Sequence, residues 1–164
     1  METEEDRIRA EYERLLLGLQ SLMLATVDGQ GAPLVSYAPF AVDQARQFYI
    51  FVSELSGHTA NLRRTGQVSV MLIEDEQTAY QIFVRRRLTF FCRASLLERD
   101  TPEWQAAAEI YRAKFKEFFE IIQSFQDFQM FKLSPIGGGL VVGFGRAYDI
   151  SGAALDVLTQ RQGV

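Results

Sequence analysis

Hydrophobic and polar residues along this chain follow two different periods, and each change of period predicts the start of a new element. Over residues 4–19 the apolar side chains recur three and four positions apart, which predicts an amphipathic first helix. From Ser21 onward, apolar residues recur at every second position in several runs, which is typical of strands with one buried face. The predicted strands cover residues 21–27, 32–41, 47–52, 67–73, 80–97 (as one or two strands), 127–133 and 140–150.

Glycine and proline mark several of the connections between these strands. Asp28-Gly29 supplies the positive φ angles of a tight hairpin turn, and the first three strands are predicted to form an antiparallel meander. The stretch over residues 134–139 contains proline and three glycines, which predicts a turn before the last strand. Within that last strand Gly143 and Gly145 fall on one face, and they would leave a flat strip there.

Further helices are predicted between the strands. One starts near Ser56 and ends at Thr65-Gly66, where the glycine suits a left-handed C-cap. Another starts at Thr101-Pro102, which combines a capping residue with proline at the first helical position. That helix is predicted to reach about residue 113, and a second short helical piece follows over residues 115–122.

The order of these elements predicts a mainly β fold of the α+β class. Six or seven strands with hairpin-sized connections describe a closed antiparallel barrel with peripheral helices packed outside it. The chain has 164 residues, of which 48% are hydrophobic, and this is enough for one domain with a substantial core. Residues 1–164 are therefore predicted as a single domain, with a core over about 8–150 and a less patterned tail over 151–164.

Charge and composition exclude several classes of protein. A net charge of −4 argues against a nucleic-acid-binding protein, which would carry a broadly basic surface. The single cysteine, Cys92, excludes an intrachain disulfide framework and fits a reducing compartment. No apolar run approaches the ~20 residues of a membrane span, and the acidic start does not resemble a signal peptide. The expectation is a cytoplasmic protein without a membrane or nucleic-acid partner.

The segment around the only histidine, His58, is a candidate anion site. An apolar strand ends at a Ser- and Gly-containing turn that opens a helix, so several backbone N–H groups lie free beside the positive end of the helix dipole. Such a place suits a phosphate or the propionates of a tetrapyrrole. His58 is also a possible ligand of haem iron. The alternative is an ordinary N-cap at Ser56 with a surface histidine beside it.

Four arginines in the middle of the chain form a second candidate site. If the segment is one strand, Arg85, Arg87 and Arg93 share a face and repel one another unless an anion lies between them. That anion is either the acidic run over residues 74–76 or a bound phosphate or propionate, and a solvated face is the alternative. No catalytic residue is assigned, because the chain has no Gly-x-Ser-x-Gly motif and no evident acid partner for His58.

Five short motifs occur in order along the chain. They are Leu24-Ala25-Thr26-Val27-Asp28-Gly29, Pro33-Leu34-Val35-Ser36-Tyr37-Ala38-Pro39-Phe40, Leu55-Ser56-Gly57-His58-Thr59-Ala60-Asn61-Leu62, Arg85-Arg86-Arg87-Leu88 and Gly143-Phe144-Gly145-Arg146-Ala147. Together they resemble the haem-utilisation proteins of the HugZ/HutZ type, within the pyridoxamine 5′-phosphate oxidase-like, FMN-binding split-barrel superfamily. The resemblance covers roughly residues 8–150. It implies a split β-barrel that forms a homodimer, with cofactor sites at the interface between the two barrels.

The resemblance also implies which residues surround the cofactor. The flavoenzymes of this superfamily hold the FMN phosphate with basic residues at the positions of Ser36, Gly57 and His58, so two of the three cations are missing here. Arg87 stands where those enzymes place a glutamine beside the flavin. An arginine beside a neutral histidine suits haem propionates better than FMN. The implied cofactor-binding residues are Ser36, Tyr37, Ser53, Ser56, His58, Asn61 and Arg87.

Three functions follow as hypotheses. The first is a dimer that binds haem, and possibly degrades it, between its subunits; a degrading activity would add a reductase as partner protein. In HugZ/HutZ-type proteins the haem-ligating histidine lies in the C-terminal tail, and residues 151–164 contain none. The second is an FMN-dependent oxidoreductase, and the third is a cofactor-free regulatory or scaffolding dimer.

Overall fold

Nine strands and three α-helices make up the chain in a computed structural model that describes residues 1–163. A single turn of 3-10 helix, Ile82–Val84, precedes the sixth strand. The helices are α1 (Glu4–Gly18), α2 (Gly57–Thr65) and α3 (Pro102–Ile122). The strands are β1 (Ser21–Val27), β2 (Pro33–Pro39), β3 (Ala41–Val42), β4 (Phe48–Ser53), β5 (Gln67–Ile73), β6 (Arg87–Leu97), β7 (Phe128–Gly143), β8 (Arg146–Ser151) and β9 (Val157–Gln160).

All nine strands belong to one antiparallel sheet. The hydrogen-bonded order is β2-β1-β5-β6-β7-β4-β3, and β8 and β9 continue from β7. The mainly β, α+β fold class predicted from the sequence is confirmed. Within residues 1–163 no backbone ladder joins β2 to β3 or β4, although β2 and β4 lie in contact. The predicted meander is correct only in part: β1 pairs with β2, and Ala41 at the end of the second predicted strand pairs with Tyr49, but the whole length of β4 pairs with β7.

Side chains from one face of this sheet form the main core together with α1. Ile8, Tyr12, Leu15 and Leu16 of α1 are all buried there. A second, smaller core lies where α3 packs on β3, β4 and β7. The two helical pieces predicted for this region form α3, which is kinked at Lys116. We refer to the other face of strands β2, β1, β5, β6 and β7 as the outer face.

The longest strand, β7, runs through the segment that the sequence predicts as a turn. Phe91 of β6 pairs with Gly137 and Cys92 pairs with Pro135, so Ile136 is an extra residue in a β-bulge. Gly138 follows the bulge at a very close approach of the two strands. A Cβ atom added to Gly138 would lie 2.1 Å from the carbonyl oxygen of Thr89. Pro135 and Gly138 therefore lie within a strand and allow its close contact with β6, and they do not reverse the chain direction.

The C-terminal part of the fold differs from the predicted single last strand. The chain leaves β7 at Gly143 and re-enters the sheet as β8 at Arg146. Gly145 lies in this turn with a φ of 67°, so Gly143 and Gly145 do not share a strand face. The tail contains β9, which pairs with β8. Val164, the last residue of the predicted tail, lies outside the described residues.

Candidate functional site

The edge strand β2 and the first turn of α2 meet through one pair of side chains. The His58 Nδ1 and Ser36 Oγ atoms are 2.8 Å apart and share a hydrogen bond. His58 is only 7% exposed, which corrects the alternative of a surface histidine. Its Nε2 atom is also buried, and it has no hydrogen-bond partner among the described residues. Ser36 and His58 are thus brought together as the resemblance implies, but they are bonded to each other.

Burial determines the charge of the His58 side chain. It lowers the pKa of His58 from its ordinary value of 6.5, so the imidazole is neutral at physiological pH. Iron ligation through Nε2 would require a local rearrangement, because this atom is closed off from solvent. Ligation of haem iron by His58 stays a prediction.

The other predicted residues near the start of α2 are engaged elsewhere. Ser53 Oγ donates a hydrogen bond to Asp127 Oδ2 at 2.8 Å. Buried Asn61 donates through Nδ2 to Thr26 Oγ1 at 3.0 Å. Ser56 is the N-cap residue of α2, but its side chain makes no capping hydrogen bond. Asp127, which lies 74 residues from Ser53 in sequence, therefore places a carboxylate at a turn predicted to receive an anion. No local pattern in the sequence indicates this contact.

Tyr37 and Arg87 lie on the outer face, away from His58. Register places Tyr37 opposite Met23, Met23 opposite Met71 and Met71 opposite Thr89, so all four share one face. Arg87 shares that face because it is two residues from Thr89 on β6. It is three strands from β2, which corresponds to roughly 14 Å. Within one chain the structure does not bring Arg87 next to His58.

The prediction that Arg85, Arg87 and Arg93 share one strand face is wrong for Arg85. Arg85 precedes β6, where its Nε donates to the Glu74 carbonyl at 3.0 Å, and its Nη1 lies 3.2 Å from the Glu76 carboxylate. It therefore does not share a strand face with Arg87 and Arg93. Within residues 1–163 neither Arg87 nor Arg93 forms an ion pair, and Arg87 Nη1 donates a hydrogen bond to the Arg85 carbonyl oxygen at 2.9 Å.

The outer face is unusually apolar for a solvent-exposed surface. Its large exposed side chains are Met23, Val35, Tyr37, Phe91 and Ile136, with exposures of 38%, 69%, 61%, 55% and 66%. A depression of about 340 Å³ opens among β1, β5 and β6, with Phe91 and Arg93 in its wall. Contiguous apolar surface of this kind marks an interaction site.

Comparison with known proteins identifies the family. A family model described as pyridoxamine 5′-phosphate oxidase matches residues 8–141. The chain belongs to this family. It is 42% identical over 146 residues to heme oxygenase HutZ of Vibrio cholerae, covering 89% of this chain and 82% of the relative.

Solved structures agree with this assignment. The crystal structure of HutZ, the heme storage protein from Vibrio cholerae, superposes with a TM-score of 0.75 at 40% identity, covering 78% of this chain and 89% of that one. Campylobacter jejuni ChuZ superposes with a TM-score of 0.83 at 30% identity, over 94% of this chain and 62% of the longer ChuZ chain. The predicted resemblance to HutZ-type proteins and the split-barrel architecture are both confirmed.

Neither a membrane-spanning helix nor a metal-binding cluster is found among residues 1–163. No helix among them is both long enough and apolar enough to cross a membrane. No group of three or more His, Cys, Asp or Glu side chains in residues 1–163 is arranged to hold a metal ion.

Proposed function

We propose that this chain binds haem at the interface of a homodimer formed through its outer face. The observation that carries the proposal is the His58–Ser36 hydrogen bond. Two residues that the resemblance assigns to the FMN phosphate are bonded to each other instead, and the imidazole is neutral. The relative HutZ, described as a heme oxygenase and, in its crystal structure, as a heme storage protein, supports haem as the ligand.

The residues at the start of α2 do not fit the phosphate of FMN. A dianionic phosphate needs charge-assisted hydrogen bonds, each worth about 1.5–3 kcal/mol. Gly57 has no side chain to donate one, and His58 is neutral and already bonded to Ser36. The carboxylate of Asp127 lies beside Ser53 and would repel the phosphate. FMN is therefore the weaker of the two candidate cofactors.

The outer face fits haem by its chemistry. A porphyrin offers two apolar faces and two carboxylates, and the outer face offers apolar side chains with two arginines that have no carboxylate partner. Arg87 is the closer of these to the Tyr37–Met23–Met71 row, because Arg93 lies at the opposite end of β6. We assign Arg87 to a propionate of haem.

The second subunit completes the site. Tyr37 and Arg87 lie three strands apart in one chain, and we infer that the dimer brings Tyr37 of one subunit near Arg87 of the other. The residues assigned from the resemblance form two groups in this proposal: Tyr37 and Arg87 lie on the outer face, and the others hold the start of α2 and its neighbouring strands in place. The full set is Ser36, Tyr37, Ser53, Ser56, His58, Asn61 and Arg87.

Bound haem would supply the redox-active iron, and the chain would bind, orient and shield it. Degradation of haem would also need electrons, which we assign to a reductase partner. The single buried thiol of Cys92 is consistent with a reducing compartment, and we place the protein in the cytoplasm on that ground.

Parallel titrations of the purified protein with haemin and with FMN test this function. We expect a saturable Soret shift at one haem per subunit and no comparable flavin binding. Arg87→Ala should weaken haemin binding about tenfold, the free energy of one charge-assisted hydrogen bond. Arg7→Ala is the matched control, because Arg7 lies on α1 with only an exposed ion pair to Glu2.

The same titrations define the opposite result. FMN binding at micromolar concentration with a flat haemin titration would move the chain to the flavoprotein branch of the family. No binding of either ligand would favour the cofactor-free dimer.

A further inference from the structure

The iron of a bound haem has few protein ligands available in this chain. The only histidine is His58, whose Nδ1 is bonded to Ser36 and whose Nε2 is buried. The only thiol, Cys92, is 4% exposed, and burial raises its pKa to about 12. Neither side chain reaches a ligand that lies on the outer face.

Most phenol groups are likewise inside the protein. Four of the six tyrosines are less than 9% exposed in the described chain: Tyr12, Tyr49, Tyr111 and Tyr148. Tyr80 is fully exposed, but it precedes the 3-10 turn and does not belong to the sheet. Tyr37 is therefore the one tyrosine of the described chain that projects from the outer face.

Tyr37 stands in a row of side chains that are known types of iron ligand. It lies directly opposite Met23 on β1, and Met23 lies directly opposite Met71 on β5. Neighbouring strands are about 4.8 Å apart, so one phenol and two thioethers are adjacent on an exposed surface. The Tyr37 side chain is 61% exposed, so its hydroxyl is open to a ligand on this face.

We propose that Tyr37 provides the axial ligand of the haem iron through its phenolate oxygen. This inference rests on the proposed function. On binding, the phenol would release its proton to solvent and its oxygen would replace a water ligand of the ferric iron, with no change of oxidation state. A bound cation favours the deprotonated form of an oxygen ligand, and tyrosine is an established axial ligand of haem iron. An anionic oxygen ligand favours ferric over ferrous haem, so this site would hold ferric haem more tightly.

The proposal assigns the neighbouring residues different roles. Met23 packs beside the phenolate and is not the ligand, although its thioether is the nearest alternative. Arg87 shares the outer face and supplies positive charge for the anionic ligand set. His58 positions the edge strand that carries Tyr37, through its bond to Ser36 one residue away.

Absorption and resonance Raman spectra of the ferric haem complex test the ligand. The wild-type complex should carry the charge-transfer band and the vibrational modes of an iron-bound phenolate. Tyr37→Phe should abolish both and weaken ferric haemin binding about tenfold, because one ligand bond is lost. Tyr80→Phe is the matched control, since it removes an exposed phenol away from the outer face. Dimer mass and circular dichroism should be unchanged in both variants.

Several outcomes would overturn this ligand while leaving haem binding intact. Phenolate features that are absent from the wild type, or that persist in Tyr37→Phe, exclude Tyr37. A spectrum that changes in Met23→Leu or His58→Gln but not in Tyr37→Phe assigns the ligand to that residue instead. If wild-type protein binds no haemin at all, the proposed function fails, and the ligand proposal fails with it.

Discussion

His58 Nδ1 and Ser36 Oγ are 2.8 Å apart, and their hydrogen bond joins the first turn of α2 to the edge strand β2. An edge strand has only one neighbouring strand to hold it, which for β2 is β1. The side-chain bond therefore adds a second attachment for the strand that carries Tyr37. The resemblance assigns both residues to the phosphate of FMN, so we expect this one contact to affect ligand choice as well as stability.

Removing the serine hydroxyl should destabilise the fold. Ser36→Ala leaves a nitrogen of a 7% exposed imidazole without its partner, and we expect a loss of about 1–2 kcal/mol in the free energy of unfolding. Urea unfolding followed by circular dichroism measures the change. Ser95→Ala removes a hydroxyl from an exposed position of β6 and should change the free energy of unfolding by less than about 0.5 kcal/mol. Equal effects of the two substitutions would contradict a structural role for the pair.

The buried imidazole should make stability depend on pH. Its pKa is lowered from 6.5 in the folded protein, so below that value the unfolded chain binds the extra proton. The folded state keeps its full stability, as far as His58 is concerned, above the pKa that this side chain has in the unfolded chain. That stability decreases as the pH falls below this value. His58→Gln should therefore lose less stability than wild type between about pH 7 and about pH 5. Urea unfolding across that range is the measurement, and parallel pH dependences for the two proteins would refute the prediction.

A charge on the outer face should separate the subunits. Phe91 is 55% exposed beside the depression between the strands, and Phe91→Glu would place a carboxylate within the apolar interface. We expect sedimentation equilibrium to give a dimer for wild type and a monomer for Phe91→Glu. Phe118→Glu is the control, because Phe118 is 64% exposed on α3 and away from the sheet. A monomeric wild type, or a dimeric Phe91→Glu protein, would place the interface elsewhere.

The close approach of β6 and β7 should tolerate no side chain at Gly138. An added Cβ would lie 2.1 Å from the Thr89 carbonyl oxygen, so Gly138→Ala must push the two strands apart. Overpacking of this kind costs about 1–3 kcal/mol or more, and we expect a result at the upper end. Gly18→Ala serves for comparison, because nothing lies within 4 Å of its added Cβ. Thermal unfolding of both variants decides whether the bulge region is as tightly packed as described.

The phosphate of FMN should contribute little to any flavin binding. Ser36, Gly57 and His58 offer it no cation at neutral pH, and the Asp127 carboxylate lies beside Ser53. We expect FMN and riboflavin to bind with dissociation constants within about threefold of each other, since no charge-assisted bond distinguishes them. Quenching of flavin fluorescence measures both constants. A preference of about a hundredfold for FMN would mean that the phosphate finds a cation after all.

The sequence by itself determined the local elements of this protein. The periodicity of residues 4–19 predicted α1, which spans Glu4–Gly18, and Thr101-Pro102 predicted the start of α3. Gly66 was predicted as the C-cap of α2, and it adopts the left-handed conformation with a φ of 63°. These predictions succeeded because caps, turns and hydrophobic periods depend on residues only a few positions apart. The family resemblance predicted a split barrel, whereas the repeated strand pattern by itself predicted only a closed antiparallel barrel.

Only the tertiary structure decided which distant residues meet. β4 pairs with β7, about 80 residues later in the chain, and β7 continues through Pro135 because β6 supplies its ladder there. Burial of His58 depends on Ser36 from another strand, and Ser53 is occupied by Asp127. Pairing and burial are set by free energies that involve the whole chain, so local patterns do not encode them.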